Sequence, residues 1–204
     1  RIMTRLSVNI NKIATLRNAR GEDYPNLLKT AQDIISFGAQ GITIHPRPDQ
    51  RHIRYSDALE LKGKINTELN IEGNPSKKFI NLVNEIKPEQ VTLVPDSEDA
   101  ITSSAGWDTI NNFSFLSDIV EEFHSNSIRV SIFIDPDITM LEGAKKIKAD
   151  RVELFTGPYA KEYNIDKLQN WVGRSETVED VISLATIENM NATLGRASNE
   201  LKVG

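Results

Sequence analysis

The feature that most constrains this chain is an alternation repeated six times. Short runs of β-branched and apolar residues are each followed by a stretch whose apolar residues recur at helical spacing. RLSVNI (5–10), ITIH (42–45), LNIEG (69–73), QVTLVP (90–95), RVSIFID (129–135) and RVELFTG (151–157) read as strands. Between them, PNLLKTAQDIISF (25–37) carries Leu27, Leu28, Ala31, Ile34 and Ile35 on one helical face, with Pro25 suited to the first turn and Gly38 to the exit. DALELKGKINTEL, KKFINLVNEI, FLSDIVEEFHS and MLEGAKKIKA supply further helices, and the segment after the first strand reads as a loop. Each helix returns the chain for a strand running the same way, so the pattern demands a parallel sheet.

Two architectures satisfy it: an open doubly wound sheet and a closed (β/α)8 TIM barrel. Neither GxGxxG nor GxxxxGK[ST] is present, which removes the usual nucleotide-binding versions of the open sheet. Asn9, His45, Glu72, Asp135 and Glu153 fall at the ends of five different strands. A barrel gathers such ends on one face, whereas an open sheet spreads them along an edge. The expectation is an α/β chain of the (β/α)8 type, incomplete in its pattern because strands seven and eight are not recognisable. Residues 1–163 form the six barrel units, and 164–204 form an atypical tail. Within the tail Val178, Val181, Ile182 and Ala185 share a helical face, and Thr177 with Asp180 suits a capping box.

Composition narrows the chemistry. The absence of cysteine excludes disulfides and thiolate catalysis, and the net charge of −5 argues against a general nucleic-acid binder. No apolar run approaches the ~20 residues of a membrane span, and the amino terminus shows no export leader; a cytoplasmic chain with no membrane partner is expected. Histidines at HxxxH spacing are missing, as is a nucleophile-elbow context for any serine, so no metal site and no nucleophilic triad is expected.

Acid–base chemistry on an anionic substrate remains. GITIHPRPDQRHIR puts two of the three histidines and three arginines directly after a strand. Pro46 and Pro48 stiffen the segment, His45 is suited to proton exchange, and Arg47 and His52 to holding an anion. The competing reading is a structural hydrogen bond for His45 and surface charge for the arginines. Glu72 ends an apolar strand, where partial desolvation raises a carboxyl toward general acid–base range; an ion pair with a neighbouring arginine is the alternative. Glu153 shares that ambiguity. Asn9, Asn11, Lys12, Arg17 and Arg20 offer amide and cationic donors for phosphate or carbonyl oxygens, or a solvated loop. Thr102 could bind a sugar oxygen or cap a turn. Asp135 reads as a loop brace, His124 as solvated, and Trp107 and Trp171 as packing residues.

The motifs VNINKIATLRNARG, GITIHPRPDQRHIR, LNIEGNP, PEQVTLVPDSEDAITSSAGWD, VSIFIDPD and VELFTGPYA resemble, in unbroken order over residues 3–163, the pyridoxine 5′-phosphate synthase family of vitamin B6 biosynthesis. The resemblance implies a (β/α)8 barrel, a cytoplasmic homo-octamer and no cofactor. It implies condensation of 1-deoxy-D-xylulose 5-phosphate with 3-amino-2-oxopropyl phosphate, releasing phosphate and water. His45 and Glu72 match the family's acid–base positions. Arg47, His52, Thr102, Asn11 and Lys12 match contacts to the deoxyxylulose phosphate, Asn9 and Arg20 match contacts to the aminooxopropyl phosphate, and Glu153 matches a strand-end acid. The family's NAGH-like and IGHA-like segments have no counterpart after Tyr163. The alternative is a phosphate-sugar binding paralogue, or a truncated or chimeric chain, without turnover.

Overall fold

The computed structural model describes residues 4–96 and 105–157. Over them, six parallel strands and six helices alternate: β1 (Ser7–Asn9), α1 (Asn11–Arg20), α2 (Leu27–Ser36), β2 (Gly41–Ile44), α3 (Tyr55–Lys64), β3 (Glu68–Gly73), α4 (Lys77–Ile86), β4 (Gln90–Leu93), α5 (Phe113–Ser125), β5 (Arg129–Ile134), α6 (Ile138–Lys146) and β6 (Arg151–Leu154). The strands pair in sequence order from β1 to β6, every ladder parallel. This is the curled sheet of an incomplete (β/α)8 barrel, as the strand-end polar residues require. The tail expected over 164–204, Trp171 and any seventh or eighth strand lie outside the described residues.

The two faces of the sheet differ in chemistry. Ile42, Ile44, Leu69, Ile71, Val91, Leu93, Val130, Ile132 and Ile134 alternate along four adjacent strands and are buried in one core with the inner faces of the helices. The residues between them are polar except for Phe133. Ser7 and Thr43 share a 2.7 Å hydroxyl contact; Thr92 donates to Asn70 at 3.0 Å and Gln90 donates to the same oxygen at 3.2 Å. Lower on the strands Arg129 donates to Gln90 at 2.9 Å and pairs with Glu68. Burying this many polar groups is tolerable because they satisfy one another.

Helix boundaries follow local chemistry. In α4, Phe79, Leu82, Val83 and Ile86 form the buried stripe, and the Ser76 side chain accepts from the Phe79 amide at 3.3 Å. Asn26 caps α2 and Asp137 caps α6 in the same manner. Pro25 stands before the Asn26 cap, after a cis peptide bond, and so outside the helix it was expected to start. The segment expected as a loop after β1 is helix α1. It lacks an amphipathic stripe, which hides it in the sequence, and it is anchored instead by a buried bidentate ion pair from Arg17 to Asp57 of α3, at 2.8 and 2.9 Å. His124 is exposed, as expected, and contacts Asp150 at 2.8 Å; that carboxylate also accepts from the Val130 amide. Asp135 does brace a loop, accepting from the Gly106 amide at 3.3 Å. Among the described residues no helix is long and apolar enough to cross a membrane.

Candidate active site

The carboxyl ends of β2, β3 and β4 bring together His45, Glu72 and Asp96, with Arg47 beside them. His45 follows β2 directly, and its amide donates to the Asn11 side chain at 2.8 Å. The Asn11 amide in turn donates to the Asn9 side chain at 2.9 Å. Through these two bonds the start of α1 fixes the chain where it leaves β2. Glu72 lies one residue inside β3, and its Oε2 is 3.9 Å from His45 Nδ1, too far for a hydrogen bond.

Both groups are almost fully desolvated, with side chains 10% and 14% exposed. Burial, then the charges of Arg47, His52 and Arg51, pull the His45 pKa down to about 3. Burial, then the negative charges of Glu153 and Asp96, push Glu72 up to about 8, with Arg47 opposing. At neutral pH the imidazole is therefore a free base and the carboxyl carries a proton. Burial also raises Glu153, whose strand β6 places it in register with Phe133 of β5.

Arg47 is buried and meets Asp96 at 2.7 Å across the end of β3. Asp96 was not singled out in the sequence. Its signal was there, an acid at the end of the fourth strand after Pro95, but its partner is 49 positions away. His45, Arg47, Tyr55, Asn74, Ser76 and Asp96 line a crevice of about 20 Å³, room for one water.

His52 is half-buried, its ring edge-on to His45 at 6.2 Å between centroids. Burial, then Arg47 and Arg51, with a smaller push from Lys12, hold its pKa below the usual imidazole value. Its Nδ1 accepts from the Ile53 amide at 2.8 Å, so the neutral ring carries its proton on Nε2. Lys12 is exposed in the first turn of α1. Arg20 ends α1, roughly 14 Å along the helix from Asn11, and its guanidinium lies over the Tyr24 ring at 5.3 Å. Thr102 lies outside the described residues. The whole arrangement offers one neutral base, one neutral acid and a cluster of cations at the mouth of a barrel, in a chain that is acidic overall. That suits proton transfers on an anionic, carbonyl-bearing molecule. Among the described residues no group of three or more potential ligands is arranged to hold a metal ion.

Comparison with known proteins places these features in a lineage. A family described as "Pyridoxal phosphate biosynthesis protein PdxJ" matches residues 6–197, running past the motifs that end near residue 163. A pyridoxine 5′-phosphate synthase from Flavobacterium johnsoniae is 57% identical over 187 residues, covering 92% of this chain and 76% of that protein. The enzyme of the same name from Cytophaga hutchinsonii is 64% identical over 165 residues, 81% of this chain and 69% of its own. That from Christiangramia forsetii is 61% identical over 161 residues, 79% and 68% respectively.

Proposed function

The chain belongs to the PdxJ family of pyridoxal phosphate biosynthesis proteins, the pyridoxine 5′-phosphate synthases, and on that premise we propose that it condenses 1-deoxy-D-xylulose 5-phosphate with 3-amino-2-oxopropyl phosphate. The observation that carries the reading is the inverted pair: His45 as free base and Glu72 as protonated acid, 3.9 Å apart. Joining an amine to a ketone demands both at once. A base takes the proton that the attacking amine sheds, and an acid protonates the hydroxyl that leaves as water. His45 and Glu72 rest in those protonation states, and the negative charge of a bound phosphate beside Arg47 would raise His45 toward the range a general base needs.

Arg47 and His52 hold the deoxyxylulose phosphate, with Asn11, Lys12 and Thr102 completing its contacts. Asn9 and Arg20 serve the aminooxopropyl phosphate. Arg47 also joins binding to chemistry, since its guanidinium is among the charges that keep His45 neutral. Burial, aided by the negative charges of Glu153 and Asp96, keeps the proton on Glu72.

The test is release of inorganic phosphate by the purified chain. Release that requires both substrates, and that falls at least a hundredfold in Glu72→Gln (general acid–base groups contribute ~10²–10⁴-fold), is the expected result. A folded chain that binds the sugar phosphate and releases no phosphate would leave a binding protein without turnover and overturn the proposal.

A further inference from the structure

Outside the groups that meet substrate, a dense polar junction forms at Asn18, on α1. Its side-chain oxygen faces only donors: Arg17 Nε at 3.2 Å, Arg17 Nη2 at 3.1 Å and Arg54 Nη2 at 2.9 Å. Its side-chain nitrogen faces only acceptors, the carbonyls of Arg51 at 3.2 Å and His52 at 2.9 Å. The two ends of the amide see unlike partners, so its orientation is fixed by the network. Arg17 is held in place by the buried carboxylate of Asp57, and it also donates to the His52 carbonyl at 3.2 Å. Asp57 Oδ2 accepts from the Arg54 amide at 2.7 Å. The segment from Arg51 to Arg54 is thus gripped at three successive points by groups from α1 and α3.

We propose that Asn18 is a positioning residue for substrate binding: its amide, locked by Arg17 and Arg54, holds the Arg51 and His52 carbonyls and so fixes the His52 ring where a substrate phosphate meets it. The inference rests on the reading that His52 contacts that phosphate. The mechanism is mechanical. With the His52 carbonyl held from one side and its Nδ1 tied to the next amide, the ring has one orientation, and Nε2–H is the donor presented to an anion. Loosening the carbonyl lets the peptide plane rotate, which breaks the Nδ1 contact and leaves both tautomers accessible.

Asn18→Asp separates positioning from folding. The new carboxylate still accepts from both arginines. The two carbonyls lose their donors and face an anionic oxygen that repels them, against which only the remaining Arg17 bond to the His52 carbonyl holds. The expected result is a folded chain whose melting temperature falls by only a few degrees and a KM for 1-deoxy-D-xylulose 5-phosphate raised about tenfold, the scale of one lost hydrogen bond, with kcat within twofold. Nitrogen NMR of the His52 ring should show a protonated Nε2 in the parent chain and a mixture of tautomers in the variant. Asn18→Ala, which also frees the arginines, should give the larger KM. Unaltered KM and unaltered His52 nitrogen shifts in a folded Asn18→Asp chain overturn the proposal, as does a loss confined to kcat. If the parent chain has no turnover, the synthase reading fails, and the His52 nitrogen shifts alone decide this inference.

Discussion

At the residue scale, the site turns on where one proton rests. A glutamate normally ionises well below a histidine; here burial and neighbouring charge reverse the order, with Glu72 at about 8 and His45 at about 3. The reversal leaves a mark on stability. Between pH 3 and 6.5 the unfolded His45 takes up a proton that the folded one refuses, so stability is lost as pH falls through that window. Between 4.5 and 8 the unfolded Glu72 ionises while the folded one stays protonated, so stability is lost as pH rises. From these two groups the slopes cancel between 4.5 and 6.5 and only the alkaline loss remains from 6.5 to 8. Urea unfolding at several pH values should show Glu72→Gln flattening that alkaline limb; a limb of equal slope in the variant would assign it to other groups. The candidates themselves could be read from the sequence because each is a polar residue closing an apolar run. Asp96 closes such a run as well, but its meaning, like that of Asn18, comes from partners 33 to 49 positions away.

At the scale of elements, the strands and five of the six helices were legible because their burial is periodic, although the expected α3 ran past Lys64 into the start of β3. Helix α1 was not, since tertiary ion pairing rather than an apolar stripe holds it. The β3–α4 unit shows how an element sets the site. A side-chain carbon added at Gly73 would fall 2.1 Å from the Phe79 ring, so only glycine lets the end of β3 lie against α4 directly after Glu72. Gly73→Ala should push Phe79 out of its position and cost ~1–3 kcal/mol, the usual penalty of overpacking. Denaturant midpoints check the stability, and a variant as stable as the parent would mean that the Phe79 ring moves aside without cost.

For the whole molecule, the parallel order from β1 to β6 followed from the alternation of strands and helices, and the strand-end polar residues pointed to curling rather than an open edge. The polar inner face was not legible. In the sequence Thr43, Asn70, Gln90 and Thr92 are isolated polar residues in apolar strands, and only their mutual hydrogen bonding brings them together. Folding around that face is what desolvates Glu72, so the proton it holds at neutral pH is a property of the folded chain. The most direct measurement is the infrared carboxyl stretch at pH 7, where a protonated acid absorbs apart from ionised carboxylates. A protonated-acid band present in the folded chain, absent in Glu72→Gln and absent after unfolding in urea, is the predicted result. A Glu72 that is ionised in the folded chain at pH 7 would contradict the account.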